Sequence, residues 1–150
     1  DMIEAIERID KAFIVGMQFH PEAAIVKHMN NTANAGDYMS NSAMHSVEHM
    51  FATCIRNSKI ADKVVYFGPM GCQTGFYLVV RQVEPKEVFD VTKQVLEQIL
   101  DYDGPVFGAS AIECGHYENL SLDEAKAECR KYFDVINNQT NMEFTYPEEN

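Results

Sequence analysis

The stretch from residue 41 to 56, NSAMHSVEHMFATCIR, constrains the fold of this chain more than any other segment. Its apolar residues recur every three or four positions, which is the spacing of one face of an α-helix. They are Ala43, Met44, Val47, Met50, Phe51, Cys54 and Ile55. We predict a helix that has Ser42 as its N-cap, ends near Asn57 and packs this apolar face against a core.

The polar side of the same helix carries His45, Glu48 and His49. Residues four apart lie on one helix face, so the two histidines can bind one cation with Glu48 beside them. The H-x-x-E-H order is that of inverse zinc motifs, in which the carboxylate acts as a general base. Arg56 lies two turns beyond His49 on that side. The alternative is that these side chains only line a solvent-facing side of the helix, opposite its apolar face. The motif by itself supplies two histidine ligands and lacks a third.

Two cysteines are candidates for that third ligand. Cys72 and Cys114 each stand beside glycines outside the predicted helices and strands. Cys54 and Cys129 lie in predicted helices among apolar neighbours, and we interpret them as small buried side chains. Four cysteines are too few for a disulfide-stapled scaffold, so we expect thiols, ligands or catalysts in a reducing compartment. Two further histidines, His28 and His116, are predicted to lie at the surface.

The other segments indicate a mixture of helices and strands. Residues 3–9 are predicted to form a helical turn, KAFIVGMQF a strand, and residues 21–28 a helix. KVVYF and GFYLVVRQV are predicted to pair as a hairpin across GPMGCQT. Pro85 should open a helix whose buried line is Val88, Val91, Val95 and Ile99. A capping box of Ser121 and Glu124 should open a last helix that ends near Asn137. This order favours an α+β fold.

Composition excludes several partners. The chain has 150 residues, the length of a single domain, and a net charge of −11 from 12 basic and 23 acidic side chains. Such a charge repels nucleic acid and anionic membranes, so we expect neither as a partner. Apolar runs such as FYLVV are far shorter than the roughly 20 residues of a membrane-spanning helix. No secretory pattern opens the chain, and we expect a cytoplasmic protein.

Three blocks of sequence carry a resemblance to a known family. AMHSVEHMFATCIRNS, FGPMGCQTGFYLVV and ECGHYENLSLDEAKAEC occur in the order and spacing found in the LuxS family of S-ribosylhomocysteine lyases. The resemblance covers roughly residues 35 to 145. It implies an α+β fold with an antiparallel sheet packed against helices, and a LuxS-like domain over residues 35–150. It also implies release of homocysteine and of 4,5-dihydroxy-2,3-pentanedione, the autoinducer-2 precursor used in quorum sensing.

The resemblance also assigns roles to individual residues. It makes His45, His49 and Cys114 the ligands of one divalent metal ion, Fe²⁺ or Zn²⁺. Glu48 and Cys72 become the acid/base pair, which would move the protons needed for carbonyl migration and β-elimination. Arg56 becomes a residue of the substrate pocket. Many family members read DISPMGC where this chain reads YFGPMGC, so Tyr66 replaces an aspartate of the pocket.

The front of the chain departs from the family. Residues 1–34 resemble the C-terminal part of a class I glutamine amidotransferase of the γ-glutamyl hydrolase type, whose triad residues would be His20 and Glu22. No nucleophile elbow precedes Asp1 in this sequence, so we expect no amidotransferase activity and no independent domain. The family's usual N-terminal strands and two pocket residues are therefore expected to be replaced or missing. We expect AFIVGMQF to fill part of the gap, the family's homodimer to persist, and turnover to be weak.

Two alternatives to an active lyase remain at this stage. An inverse-zinc metallopeptidase would need a downstream carboxylate as third ligand, for which Glu113, Glu118 or Glu124 could serve. A truncated or hybrid chain could instead bind metal with little or no turnover. Metal content and homocysteine release distinguish these alternatives from the lyase.

Overall fold

The computed structural model describes residues 3–9, 12–18 and 38–138. Within these ranges the chain forms one antiparallel sheet of order β1-β2-β4-β3 and three α-helices. The strands are β1 Ile3–Ile9, β2 Ala12–Gln18, β3 Val64–Pro69 and β4 Gly75–Arg81. The helices are α1 Asn41–Arg56, α2 Pro85–Asp101 and α3 Leu122–Asn137. The fold is α+β, and no helix of the described part has the length and apolarity that crossing a membrane requires.

The front of the chain contributes two strands to this sheet. β2 pairs with β4 along its whole length, from Ala12 opposite Arg81 to Gln18 opposite Gly75, and β1 pairs with β2. The prediction of a strand in KAFIVGMQF is confirmed, whereas the prediction of a helical turn over residues 3–9 is wrong. A short apolar pattern does not by itself distinguish helix from strand, and here pairing with β2 decides for the strand.

The predicted hairpin of β3 and β4 is confirmed, and one of its faces covers the core. Along β4, Phe76 and Leu78 are buried while Tyr77 between them is exposed, as expected for a strand with one face against a core. A register shift between Val64 and Tyr66 interrupts the pairing of β3 with β4. Val65 and Tyr66 are both exposed near this irregularity.

The core lies between the hairpin and the helices. α1 packs against β3, α2 and α3. The rings of Phe51 and Phe67 stack with centroids 4.5 Å apart, and Phe67 stacks on Phe76 at 5.1 Å. Most of the predicted apolar face of α1 is buried, although Met44 and Cys54 are only partly covered. The predicted buried line of α2 is confirmed at all four positions, Val88, Val91, Val95 and Ile99. This packing fixes the orientation of α1 and of the histidines on its other side.

The start of α1 differs from the prediction by two residues. Ser40, not Ser42, is the N-cap, because its Oγ accepts a hydrogen bond of 2.9 Å from the backbone N–H of Ala43. Ser42 lies inside the helix, and its hydroxyl donates to the carbonyl oxygen of Asn119 at 2.9 Å. It also lies 3.1 Å from a carboxylate oxygen of Glu124. The side chain predicted to cap α1 therefore joins it to the segment before α3.

The capping box predicted for α3 is only half formed. Ser121 Oγ accepts a hydrogen bond of 3.3 Å from the N–H of Glu124, so Ser121 is the N-cap as predicted. The reciprocal bond is replaced, because Ser46 Oγ accepts the Ser121 N–H at 2.8 Å. The Glu124 carboxylate instead accepts a hydrogen bond from Ser40 at 2.8 Å. A contact between two helices has replaced a contact within one.

Ser46 is the buried side chain that joins α1 to α3. It is 0% exposed, donates to the Ser42 carbonyl oxygen at 2.7 Å and accepts from Ser121. We expect Ser46→Ala to lower the free energy of unfolding by about 1–3 kcal/mol, because the Ser121 N–H then loses its acceptor. Urea denaturation checks this value. Thr53→Ala on the same helix is the control, and an equal loss for the two variants would contradict the role given to Ser46.

Candidate metal centre

Three side chains that can bind a metal ion converge between α1 and the loop before α3. They are His45, His49 and Cys114, and one potential ligand atom from each lies within 4.8 Å of the other two. The helical period places His45 and His49 on one face, with ring centroids 4.7 Å apart at an angle of 83°. Cys114 Sγ lies 3.4 Å from Nε2 of His45. The chain thus brings two imidazoles and one thiol to a single point.

The spacing of these donors matches what a transition metal ion requires. Bonds of about 2.3 Å to sulfur and about 2.1 Å to nitrogen at a tetrahedral angle place the two donor atoms roughly 3.6 Å apart. The observed separation of 3.4 Å between Cys114 and His45 is close to this value. Imidazole and thiolate are ligands preferred by Zn²⁺ and Fe²⁺, not by Mg²⁺ or Ca²⁺. Three such donors also leave a coordination position for a substrate oxygen.

The ring of His49 is held by the loop that follows α2. Its Nδ1 lies 2.8 Å from the carbonyl oxygen of Phe107. Because a carbonyl oxygen can only accept, Nδ1 is the donor in this bond, and Nε2 is the ring nitrogen left for a metal ion. Gly108, the next residue, has φ +70° and lies against the same ring. This arrangement fixes the orientation of the His49 ring relative to the other two donors.

Cys114 is placed by turns within its loop and by contacts with α1. Its N–H donates to the carbonyl oxygen of Ser110 at 2.9 Å, and Ser110 Oγ donates to the carboxylate of Glu113 at 2.7 Å. Beyond Cys114, the side-chain amide of Asn119 donates to Asn41 at 2.7 Å, and the bond from Ser42 to the Asn119 carbonyl adds a second tie. The loop is therefore fastened to the start of the helix that carries the histidines.

Glu48 stands next to this cluster on the same helix. It is half-buried, and burial raises the pKa of its carboxyl above the ordinary value, while the charges of His49 and Arg56 act in the opposite direction. Arg56 itself is exposed and donates from Nη1 to the carbonyl oxygen of Ala52 at 3.2 Å. A carboxyl whose proton is held more tightly than usual is suited to giving and taking protons.

Burial has the opposite effect on His45, since it disfavours a charged imidazole. It lowers the pKa of His45, and the nearby rings of His49 and His116 add smaller effects in the same direction. A neutral imidazole is the form that binds metal ions.

Cys72 lies apart from the three donors, in the loop between β3 and β4. It is exposed, and its Sγ is 2.9 Å from the hydroxyl of Thr74. Its neighbour Gln73 has φ +63°, and the Gln73 carbonyl oxygen accepts a hydrogen bond of 2.9 Å from the N–H of Met39. Since Met39 directly precedes the cap of α1, this bond holds the Cys72 loop at the end of α1 nearest His45. Between residues 38 and 138, no hydrogen bond joins Cys72 to the cluster.

The other candidates for a third ligand are engaged elsewhere. The carboxylates of Glu113 and Glu124 accept hydrogen bonds from serine hydroxyls, and Glu118 lies 3.5 Å from the hydroxyl of Tyr117. Among the described residues, the cluster that could hold an ion contains none of these glutamates. Cys129 is fully buried as predicted, and burial raises its pKa and that of the partly buried Cys54. In the described part of the chain, no glutamate joins the two histidines as the third ligand that a metallopeptidase would require.

The surface position predicted for His116 is confirmed, but its contact with His45 was not predicted. His116 is exposed but stacks beside His45 with ring centroids 6.1 Å apart. The only sequence feature that could have indicated this contact is the position of His116 two residues after Cys114. The contact itself depends on the packing of this loop against α1. Three residues named from the sequence, His20, Glu22 and His28, lie outside the described residues.

Known proteins resemble this chain over most of its length. Residues 27–143 match the family model described as S-ribosylhomocysteinase (LuxS). Proteins named S-ribosylhomocysteine lyase from Borreliella afzelii and Finegoldia magna are each 41% identical to the chain over 116 residues. The first alignment covers 76% of this chain and 74% of the relative, and the second covers 77% and 74%. A lyase of the same name from Clostridium beijerinckii is 38% identical over 120 residues, which is 78% of this chain and 76% of that protein.

Proposed function

The chain belongs to the S-ribosylhomocysteinase (LuxS) family, and we propose that it cleaves S-ribosylhomocysteine to homocysteine and 4,5-dihydroxy-2,3-pentanedione. The observation that carries this proposal is the meeting of His45, His49 and Cys114 within 4.8 Å. A bound divalent ion, Fe²⁺ or Zn²⁺, would supply a Lewis acid that polarises the sugar carbonyl. The three side chains would hold one such ion per chain.

The chemistry needs proton carriers and no external oxidant. Moving the sugar carbonyl from C1 to C2 and then to C3 requires a proton to leave the carbon beside each carbonyl and to return one position away. In the last step a proton leaves C4 while the bond from C5 to sulfur breaks, and homocysteine departs as a thiolate that takes up a proton. Each assisted transfer contributes a factor of roughly 10²–10⁴ in rate.

We assign the proton transfers to Glu48 and Cys72. The support for Glu48 is its position beside His49 and the raised pKa of its half-buried carboxyl. The support for Cys72 is its accessible thiol on a loop held at the His45 end of α1. Arg56 is proposed as a pocket residue, since its positive charge acts on Glu48 and its side chain reaches solvent.

We propose that residues 35–150 form the lyase domain and that residues 1–34 are an amidotransferase-like fragment that does not fold alone. The family match begins at residue 27, before this boundary. The antiparallel pairing of β2 with β4 supports the idea that AFIVGMQF occupies the place of a family strand. An unpaired edge of β4 would otherwise invite association with another chain. A cytoplasmic location stays a prediction from composition.

The working form is proposed to be a homodimer. The outer face of the hairpin exposes Val65 by 57%, Tyr66 by 49% and Tyr77 by 44%, which is a large share for apolar and aromatic side chains. A second copy of the chain would remove this surface from water. Sedimentation velocity on the purified chain, whose mass is 17.0 kDa, distinguishes monomer from dimer.

A thiol-release assay tests the proposed reaction. The purified chain, supplied with Fe²⁺ under anaerobic conditions, is expected to release homocysteine from S-ribosylhomocysteine. A preparation stripped of metal serves as the control. Turnover should be weak, since the front segment differs from the family's usual one and Tyr66 stands where an aspartate is common.

Two comparisons sharpen this assay. A chain carrying the family's usual N-terminal segment should be faster, and equal rates would refute the idea that the front limits turnover. Metal binding without any homocysteine release would favour the alternative, a hybrid chain that keeps the site and lacks the activity.

A further inference from the structure

We infer that Gly108 is a positioning residue for the metal centre, an inference that rests on the proposed metal-binding role of His49 and Cys114. The turn formed by Phe107 and Gly108 fixes the ring of one ligand. It is also joined to the other ligand through Ser110, whose N–H donates to Gly108 and whose carbonyl oxygen accepts from Cys114. Gly108 lies six residues before Cys114 and belongs to none of the motifs that indicated the site.

Space explains why this residue is a glycine. A Cβ atom built at residue 108 would lie 3.0 Å from Nδ1 and 3.3 Å from Cε1 of His49. The ring cannot move away freely, because the same Nδ1 donates to the Phe107 carbonyl oxygen at 2.8 Å. A side chain at residue 108 would therefore push the imidazole off this acceptor.

Backbone conformation gives a second reason. Gly108 has φ +70°, in the left-handed region that most residues avoid because of their Cβ. This conformation turns the chain so that the Phe107 carbonyl faces α1. A residue that cannot adopt it would move the acceptor as well as the ring.

The same turn also reaches Cys114. The Gly108 carbonyl oxygen accepts a hydrogen bond of 2.9 Å from the N–H of Ser110, and the Ser110 carbonyl oxygen accepts one of 2.9 Å from the N–H of Cys114. Two successive backbone bonds thus connect the residue that supports His49 to the residue that supplies the thiol. A change at Gly108 should disturb both donors together, which distinguishes it from a change elsewhere in the loop.

Metal affinity of the purified chain measures this effect. With Co²⁺ as the probe and a chelator as competitor, Gly108→Ala is expected to weaken binding by about 10–100-fold, the usual cost of losing the hydrogen bond that orients a histidine ligand. The Co²⁺ absorption spectrum should change as well, because the ligand geometry changes. Gly108→Asn should weaken binding similarly, since asparagine tolerates positive φ but still carries the Cβ.

Gly115→Ala is the matched control. Gly115 adjoins Cys114 in the same loop, and its φ is outside the left-handed region. Among the described residues, a Cβ built there meets no atom within 4 Å apart from those of Gly115 and its two chain neighbours. Its alanine variant should bind Co²⁺ with the affinity and spectrum of the parent. If Gly108→Ala and Gly108→Asn also match the parent, the inference is wrong.

Urea unfolding of the metal-free protein gives a second test. It can be measured even if the Gly108→Ala variant is too unstable to bind Co²⁺. Gly108→Ala should lower the urea midpoint more in the parent than in a His49→Ala background, because the clash with the ring is then gone. An equal drop in the two backgrounds would overturn the inference. Failure of the parent chain to bind Co²⁺ would instead refute the proposed metal site, so the two failures can be told apart.

Discussion

Replacing Glu48 by glutamine should reduce homocysteine release by about 10²–10⁴-fold while the metal content stays that of the parent. The substitution keeps the size of the half-buried side chain but removes the group that exchanges protons. Turnover assays with metal analysis on the same samples measure both quantities. Glu97→Gln, at an exposed position on α2, is the control and should leave both unchanged.

Cys72→Ala should lose a similar factor, again with its metal retained, because Cys72 lies on the hairpin loop outside the donor cluster. Cys54→Ala is the matched cysteine control, since Cys54 is partly buried within α1. If the Glu48 or Cys72 variant turns over like the parent, that residue has no part in the proton transfers.

Replacing a donor of the cluster should have the opposite signature, a loss of the metal ion itself. His49→Ala and Cys114→Ala each remove one of three ligand atoms that lie within 4.8 Å of one another. The affinity should fall by more than the roughly 10–100-fold that follows loss of an orienting hydrogen bond. Metal analysis after dialysis should find about one ion per parent chain and little in either variant.

Two controls make this result specific. His116→Asn changes a histidine that stacks beside His45 but is absent from the cluster, so its metal content should stay that of the parent. Glu113→Gln should also keep the ion, because that carboxylate is bonded to Ser110. Retention by Cys114→Ala together with loss by Glu113→Gln would favour a metallopeptidase arrangement and count against the lyase.

Features that depend on neighbouring residues were predictable from the sequence. The 3.6-residue period of α1 dictates that His45 and His49 share a face, and the Gly- and Pro-rich loop between two β-branched runs dictates the hairpin. Pro85 at the first position of α2 is a similar local signal. The predicted caps were less accurate, because Ser42 and Glu124 form their bonds with other elements.

Sequence by itself thus determined the helix that carries the two histidines, the α+β class and, through the family motifs, the expected chemistry. Tertiary structure alone decided which strands pair, so residues 3–9 became β1 by joining β2. The family resemblance had named Cys114 rather than Cys72 as the third donor, and the structure brings Cys114 to the histidines. Only the tertiary structure revealed that Phe107 and Gly108 support His49. The contacts of His49 with Phe107 and of His45 with Cys114 join residues 58 and 69 positions apart. The helix period and the turn signals describe only a few successive residues. The geometry of these contacts exists only once packing has brought α1 and the loop together.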